Sequence, residues 1–343
     1  MRKLASFQIV SSLTPIPGAD KIELAKVLGW NVVVKKGDFK EGDVCIYFEI
    51  DSILPDMEIF SFMKDRHMRV RTIRLRGQIS QGLAMPPEAI GFQGFGPEDV
   101  DKDVTELLGV KKYEPEIPAC LAGIVKGNFP SFIPKTDETR VQVLQKVLDK
   151  YGAEECYVTE KVDGSSCTVY LRDGEFGVCS RNIDLVRDEN NTFWKMAIAM
   201  NLEGVMRRYG KNIALQGELI GEGVQGNKYG LSGHRLLFFN VFDIDKCEYL
   251  DLFDMLATFE DLEIGIHERV PLLSSNYRPG NDIDFLVKES IASSRINHDI
   301  PREGIVIRPI VERLDLLLSK ERFNNGRVSF KVINPEFLLK FGE

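Results

Sequence analysis

The sequence predicts an α+β chain: a small N-terminal β-barrel followed by a mixed α/β domain with antiparallel sheets. Three observations predict it. Roughly the first 110 residues alternate short β-like runs with turn punctuation. The stretch Glu114-Pro115-Glu116-Ile117-Pro118 then blocks regular structure with its two prolines. Beyond Phe129, strand and helix patterns mix, and a length of 343 residues suits two domains. The expected division is 1–113 for the barrel, 114–128 for a linker and 129–343 for the second domain.

In the barrel, residues 5–11, 30–34 and 44–50 are β-like, and Gly18-Ala19-Asp20 and Lys36-Gly37-Asp38 are turn-like. Residues 70–75 alternate arginine with apolar residues, as a small barrel strand does. Lys64, Arg66, Arg69, Arg71, Arg74 and Arg76 crowd into this stretch. On a strand, Arg69 and Arg71 share a face, as do Arg74 and Arg76. Such a strip can follow nucleic-acid phosphates, or guard an edge strand against aggregation.

In the second domain, Thr136 reads as the N-cap of a helix with Asp137 and Glu138 in its first turn. Val141, Leu144, Val147 and Leu148 make its apolar stripe, and Gly152 stops it. Residues 158–162 and 167–171 are strands flanking an Asp163-Gly164 turn, and 236–242 is a buried strand. Residues 192–208 and 281–296 read as helices, and 314–327 as a loop insertion.

Composition narrows the function classes. The hydrophobic share of 43% fills two ordinary cores, and the net charge of -8 argues against broad non-specific nucleic-acid binding while leaving room for a local basic groove. The six cysteines are scattered without a Cys-x-x-Cys pair, so reduced thiols in a cytoplasmic protein, with the nucleus as the alternative, are expected. The four histidines do not cluster, which speaks against a histidine metal site. There is no signal peptide and no apolar run of membrane-spanning length, so no membrane is expected, and no protein partner is predicted.

The chemistry gathers around Glu160-Lys161-Val162-Asp163-Gly164, where a lysine closes an apolar-rich strand. Ser180-Arg181-Asn182, Gly217-Glu218-Leu219, Phe239-Asn240-Val241-Phe242-Asp243, Glu303-Gly304-Ile305-Val306-Ile307-Arg308 and Phe330-Lys331-Val332-Ile333-Asn334 follow in order. Lys161 can act as a nucleophile if its ammonium, with an ordinary pKa of about 10.4, loses its proton. Partial desolvation and a nearby divalent cation both favour that loss. Asp163, Glu218 and Glu303 are acids on distant strands that can converge on a hydrated Mg²⁺.

This order and spacing resemble the covalent nucleotidyltransferases: RNA and DNA ligases and mRNA capping enzymes. The resemblance covers nearly all of the chain after about Phe129. It implies that Lys161 attacks the α-phosphorus of ATP, giving lysyl-AMP. It implies that Asp163 and Glu303 hold a metal ion through its water, with Glu218 nearby and touching the ribose. Arg181 would bond the ribose hydroxyls, Phe242 would stack on adenine, with Phe238 and Phe239 as alternatives, and Glu160 would accept from the adenine amino group. Lys331 would contact the α-phosphate. Many relatives carry Lys-x-Lys there, whereas this chain has Ser329-Phe330-Lys331.

The run from Pro15 to Glu23 and the later Arg76-Gly77 and Ser80-Gln81-Gly82-Leu83 resemble tRNA-binding OB domains, so the barrel is expected to be of OB type. An OB domain in front, with too little chain after Lys331 for another, is similar to RNA ligase family 5. Pro134-Lys135-Thr136-Asp137-Glu138-Thr139-Arg140 matches that family's signature, making Arg140 the expected triphosphate contact and Lys135 a helper. The resemblance implies an ATP-dependent RNA ligase using Mg²⁺ or Mn²⁺ and acting on RNA or a nicked RNA-containing duplex. A DNA ligase or GTP-using capping enzyme is disfavoured by the domain order. A non-catalytic RNA-binding protein is disfavoured by the intact Lys161, Asp163, Glu218, Glu303 and Lys331.

Overall fold

The computed structural model describes residues 3–113, 125–315 and 326–342. Residues 114–124 of the expected linker and 316–325 of the expected insertion lie outside them. The chain divides into two compact units: Met1–Glu116 with Val141–Gln145 and Pro335–Glu343, and Ile117–Arg140 with Lys146–Asn334.

In the first unit, strands β1 (Ala5–Pro15), β2 (Ile22–Val27), β3 (Trp30–Lys35) and β4 (Val44–Phe48) are followed by the short β5 (Ser52–Ile53). Next come β6 (Thr72–Leu75), β7 (Gln78–Gln81), β8 (Leu83–Met85) and β9 (Lys111–Lys112). The main sheet has the order β3-β2-β1-β4-β8, and its pairings are antiparallel. β1 serves two neighbours: residues 5–9 pair with β4, and its far end pairs with β2 after a register shift between Val10 and Ser12. Such a shift bends a strand and increases its twist, which curls the sheet towards a barrel. Phe7, Ile46, Phe48, Phe60 and Val70 fill the interior, with Phe48 and Phe60 edge-to-face at 5.5 Å. The β6–β7 hairpin turns through Arg76 and Gly77 at φ 48 and 81, the two left-handed positions of a tight hairpin. The C-terminal helix Pro335–Phe341 belongs to this unit and packs on β6.

The second unit holds two sheets. It begins with β10 (Val125–Asn128) and β11 (Thr139–Arg140), then β12 (Cys156–Lys161), β13 (Ser165–Arg172), β14 (Glu175–Cys179) and β15 (Ile183–Leu185). It continues with β16 (Ile213–Gly221), β17 (His234–Asp243), β18 (Glu248–Tyr249), β19 (Leu272–Tyr277), β20 (Gly304–Pro309) and β21 (Phe330–Ile333). One sheet has the order β10-β15-β14-β13-β16-β17-β18, the other β11-β21-β20-β12-β19. The main core lies on one face of the larger sheet, where Val169, Leu215 and Phe238 meet Trp194, Met206 and Phe259 from helices.

Three helix boundaries differ from expectation, each for a local reason. The helix expected from Thr136 begins only at Gln145, because Thr139 and Arg140 instead pair in parallel with Phe330 and Lys331. The segment 192–208 is two helices, Thr192–Ala199 and Leu202–Tyr209, broken at Asn201 with φ 48. The first is capped by Asn191, whose side chain accepts from the Phe193 and Trp194 amides, a cap worth about 1 kcal/mol. The helix expected over 281–296 stops at Ser290, and Ser294 and Arg295 bond Glu160 instead.

Candidate active site

Lys161 closes β12, and Val162-Asp163-Gly164 carries the chain from the smaller sheet into β13 of the larger one. The glycine is required there by space: a Cβ on Gly164 would collide with the Leu219 carbonyl and press on Glu218 Cγ at 3.0 Å. That close approach brings the Asp163 turn against the strand bearing Glu218. Glu303, just ahead of β20, completes the group, because Lys161 and Gly304 are register partners.

The Lys161 Nζ donates to the Glu303 carboxylate at 2.7 Å, with 23% of its side chain exposed. Burial pulls the ammonium pKa down, but Glu303, Glu218 and Asp163 outweigh it and leave the amine above its ordinary value. Desolvation works against the ammonium as expected, but three nearby carboxylates outweigh it and hold the proton on. Burial acts on Glu218 in the opposite direction, pushing its carboxyl up to about 8. Asp163 accepts from Lys228 Nζ at 2.6 Å, and its amide donates to the Tyr229 hydroxyl at 2.9 Å. Lys228 and Tyr229 were not singled out in the sequence. They sit on the β16–β17 loop, more than sixty residues along the chain, and nothing local marks them.

A divalent cation is the group the sequence implies here. Among the described residues, no three His, Cys, Asp or Glu side chains are grouped so as to hold a metal by themselves. Carboxylate oxygens are the donor type that Mg²⁺ and Mn²⁺ prefer, and these ions keep waters and take phosphate oxygens as further ligands. The acids therefore suit an ion held partly through water.

The smaller sheet presents a second cationic group. Arg140 pairs with Lys331, Lys331 with Val306, and Val306 with Thr159. Lys161 lies two residues beyond Thr159, so all of these share one face. The 134–137 segment is laid across the larger sheet. Gln216 Nε2 donates to the Pro134 carbonyl at 2.7 Å, Lys135 Nζ to Asn182 Oδ1 at 2.8 Å, and Arg181 pairs with Asp137 at 2.7 Å. Arg181 also lies close enough to Glu218 to favour its ionised form, though burial dominates.

Two expected nucleotide contacts sit elsewhere. Glu160 is 1% exposed, and its oxygens accept from Ser294 Oγ at 2.5 Å and the Arg295 amide at 2.7 Å. Adjacent strand residues point to opposite faces, so Glu160 turns away from the face of Lys161 and anchors the 294–295 segment. Phe242 is a core residue, packed with Tyr170 and Ala214 and edge-to-face with Tyr249 at 5.1 Å. Phe239 is half-buried and lies beside Arg308 of the smaller sheet, 5.8 Å from its guanidinium, because the β16–β17 register shifts by one at this point. Its ring thus lies beside Arg308, on the sheet face that carries Lys161.

The arginine strip of the barrel is also divided. Arg69 is buried, pairs with Asp51 at 2.8 Å and lies 3.6 Å over the Tyr113 ring. Arg71 donates to the Gly342 carbonyl at 3.2 Å, and Arg74 pairs with Glu336 at 2.7 Å, so both are tied to the C-terminal segment. Arg76 is exposed on the hairpin turn. The four arginines do not form one continuous phosphate track, because three of them stitch the unit together.

A strand-end lysine ringed by acids, with cationic side chains on the same sheet face, marks the second unit as a nucleotidyltransferase. Residues 4–87 match an OB-fold domain family, and residues 154–333 match the RNA ligase family. The chain belongs to the RNA ligase family. Among solved structures it is similar to a Naegleria gruberi RNA ligase variant with ATP and Mn, at 35% identity and TM-score 0.87, covering 100% of both chains. The same organism's RNA ligase with pyrophosphate matches at 36% identity and TM-score 0.85, covering 98% of each chain. A variant of it with AMP and Mn matches equally, at 36% identity, TM-score 0.85 and 98% of each chain. No curated protein sequence matches.

Proposed function

We propose that this chain is an ATP-dependent RNA ligase of family 5, sealing 3′-hydroxyl and 5′-phosphate ends through lysyl-AMP and 5′-adenylylated RNA. Its preferred substrate is a nick whose 3′-hydroxyl strand is RNA. The observation that carries the reading is the Lys161 amine set among Glu303, Glu218 and Asp163, on the same sheet face as Lys331 and Arg140. The complexes of the Naegleria enzyme with ATP and Mn and with AMP and Mn support it.

In the first step the neutral Lys161 amine attacks the α-phosphorus of ATP, a P–N bond forms and pyrophosphate leaves. AMP then passes to a 5′-phosphate end, and a 3′-hydroxyl displaces AMP to seal the strand. Splitting the displacement this way replaces one difficult step by easier ones. Arg140 and Lys331 bind the phosphates, with Lys135 as a helper, and Arg181 bonds the ribose. Phe239 stacks on the base in place of Phe242. Asp163, Glu218 and Glu303 are the residues that would hold Mg²⁺ or Mn²⁺, which supplies charge neutralisation at the α-phosphate when bound.

The barrel carries RNA, with Arg76, exposed on its hairpin turn, as one contact. Among the described residues four thiols are buried and free, at Cys45, Cys156, Cys167 and Cys179, which suits a reducing compartment such as the cytoplasm. Among the described residues no helix is long and apolar enough to cross a membrane.

The test is sealing of matched nicks with ATP and Mn²⁺ or Mg²⁺. A nick with an RNA 3′-hydroxyl strand should be sealed at least about tenfold faster than an all-DNA nick, a difference of ~1.4 kcal/mol in barrier. Equal sealing of both would replace RNA by polynucleotide as the substrate class.

A further inference from the structure

Behind the Arg140–Lys331 pair, the smaller sheet carries a deeper row of polar side chains on the same face. Arg308 lies two residues beyond Val306, and so one row further from Lys161. Its Nε donates to Ser329 Oγ at 3.0 Å, and its Nη2 pairs with Glu138 at 3.0 Å. Ser329 stands two residues before Lys331, and Glu138 two before Arg140. One guanidinium thus clamps the two chain segments whose next outward side chains are the cations of the site. It reaches across 170 residues of sequence to do so.

The clamp is built of buried groups. Arg308 is 1% exposed, and the Glu138 side chain 9%. A buried ion pair is a weak source of stability, because desolving both charges offsets their attraction, and apolar residues of similar volume often serve as well. Here Nη1 also lies buried with no hydrogen-bond partner among the described residues, which adds to the cost. Stability alone does not account for this arrangement. The fork geometry of a guanidinium does: it meets two acceptors in fixed directions, which a point charge on a flexible stem does not. The serine also occupies the position where a Lys-x-Lys pattern would place its first lysine.

We propose that Arg308, through Glu138 and Ser329, is a positioning residue. It sets Arg140 and Lys331 side by side so that their charges meet the triphosphate of ATP. This rests on the ligase reading above and assigns the clamp chiefly to the first step, since only that step handles the β- and γ-phosphates, which Arg140 meets, while the α-phosphate that Lys331 contacts stays on through sealing. Arg308 touches neither nucleotide nor RNA in this account.

The test compares two reactions of the same full-length protein: lysine adenylylation at varied ATP, and sealing of a chemically pre-adenylylated RNA without ATP. In R308K the KM for ATP should rise about tenfold, with kcat for adenylylation changed much less. In S329A, which removes one acceptor and leaves the ion pair, the rise should be roughly two- to fivefold. Both variants should lose clearly less in sealing the pre-adenylylated RNA than in adenylylation, because only the Lys331 contact with the α-phosphate is shared by the two reactions. Equal losses in both reactions would make the clamp a general structural element and overturn the proposal, as would an unchanged KM for ATP in both variants. Should R308K not fold, S329A decides on the same two readouts. Absence of adenylylation in the wild-type protein would instead strike the ligase reading itself.

Discussion

Lys161 and Glu303 form an ion pair, Nζ to carboxylate at 2.7 Å, joining the end of β12 to the residue just ahead of β20. The pair defines the resting state of the site. The amine that must attack phosphorus is held as an ammonium, chiefly by this carboxylate against the opposing effect of burial. Nucleotide binding has to break or rebalance the pair before Lys161 can act.

Removing the charge of Glu303 should therefore free the amine. In nucleotide-free E303Q, the raising influence of the carboxylate is lost, the Lys161 pKa falls and its neutral fraction at fixed pH increases. An amine-selective reagent at pH about 8 should then modify Lys161 several-fold faster than in wild type, read by peptide mass spectrometry. Unchanged labelling would mean that the ion pair does not control the proton.

Glu218 gives a pH signature in stability. Its folded-state pKa of about 8 exceeds the ordinary carboxylate value of 4.5, so the folded protein binds the extra proton between those values. Stability from this group is full below the unfolded pKa and falls as pH rises through the window to about 8. Ligand-free wild type should lose denaturation midpoint across that window relative to E218Q, whose profile should be flatter.

Gly164 is expected to be intolerant. G164A places a methyl against the Leu219 carbonyl and Glu218 Cγ, and overpacking of this kind costs roughly 1–3 kcal/mol. Chemical denaturation should show that loss, and adenylylation should fall with it because the Asp163 turn moves off Glu218.

Phe239 and Phe242 should separate cleanly. F239L should raise the KM for ATP several-fold with little change in melting temperature, since a stacked ring contributes about 1–3 kcal/mol. F242L should leave that KM near wild type and cost about 1 kcal/mol of stability, as a core volume change does. The reverse pattern would restore Phe242 to the nucleotide.

Glu160 belongs with the core predictions. E160A strands the Arg295 amide and the Ser294 hydroxyl, and each buried polar group left without a partner costs about 1–3 kcal/mol. The variant should be destabilised while its preference for ATP over GTP is unchanged, measured by adenylylation with each nucleotide.

What the sequence makes legible follows from how far each relationship reaches along the chain. Lys161, Asp163 and Gly164 sit in five consecutive residues, and their chemistry is written locally. The strands around them follow from apolar runs and turns. Glu160 was open to correction from the two-residue period alone, which sets it on the face opposite Lys161. The helix expected at Thr136 fails because Thr139 and Arg140 gain a strand partner almost two hundred residues away, and no local signal announces that pairing. Lys228 on Asp163, Glu138 on Arg308 and Arg74 on Glu336 are likewise long-range meetings of ordinary charged residues. Phe242 and Phe239 are told apart only by a one-residue register shift between β16 and β17.

The most direct measurement is incubation of wild type and K161A with α-labelled ATP or GTP and Mn²⁺ or Mg²⁺, resolved on a denaturing gel. The account predicts a labelled protein band with ATP, little with GTP and none in K161A. A band that survives in K161A would contradict Lys161 as the nucleophile. No band with either nucleotide, from folded wild-type protein not already carrying AMP, would contradict the ligase mechanism.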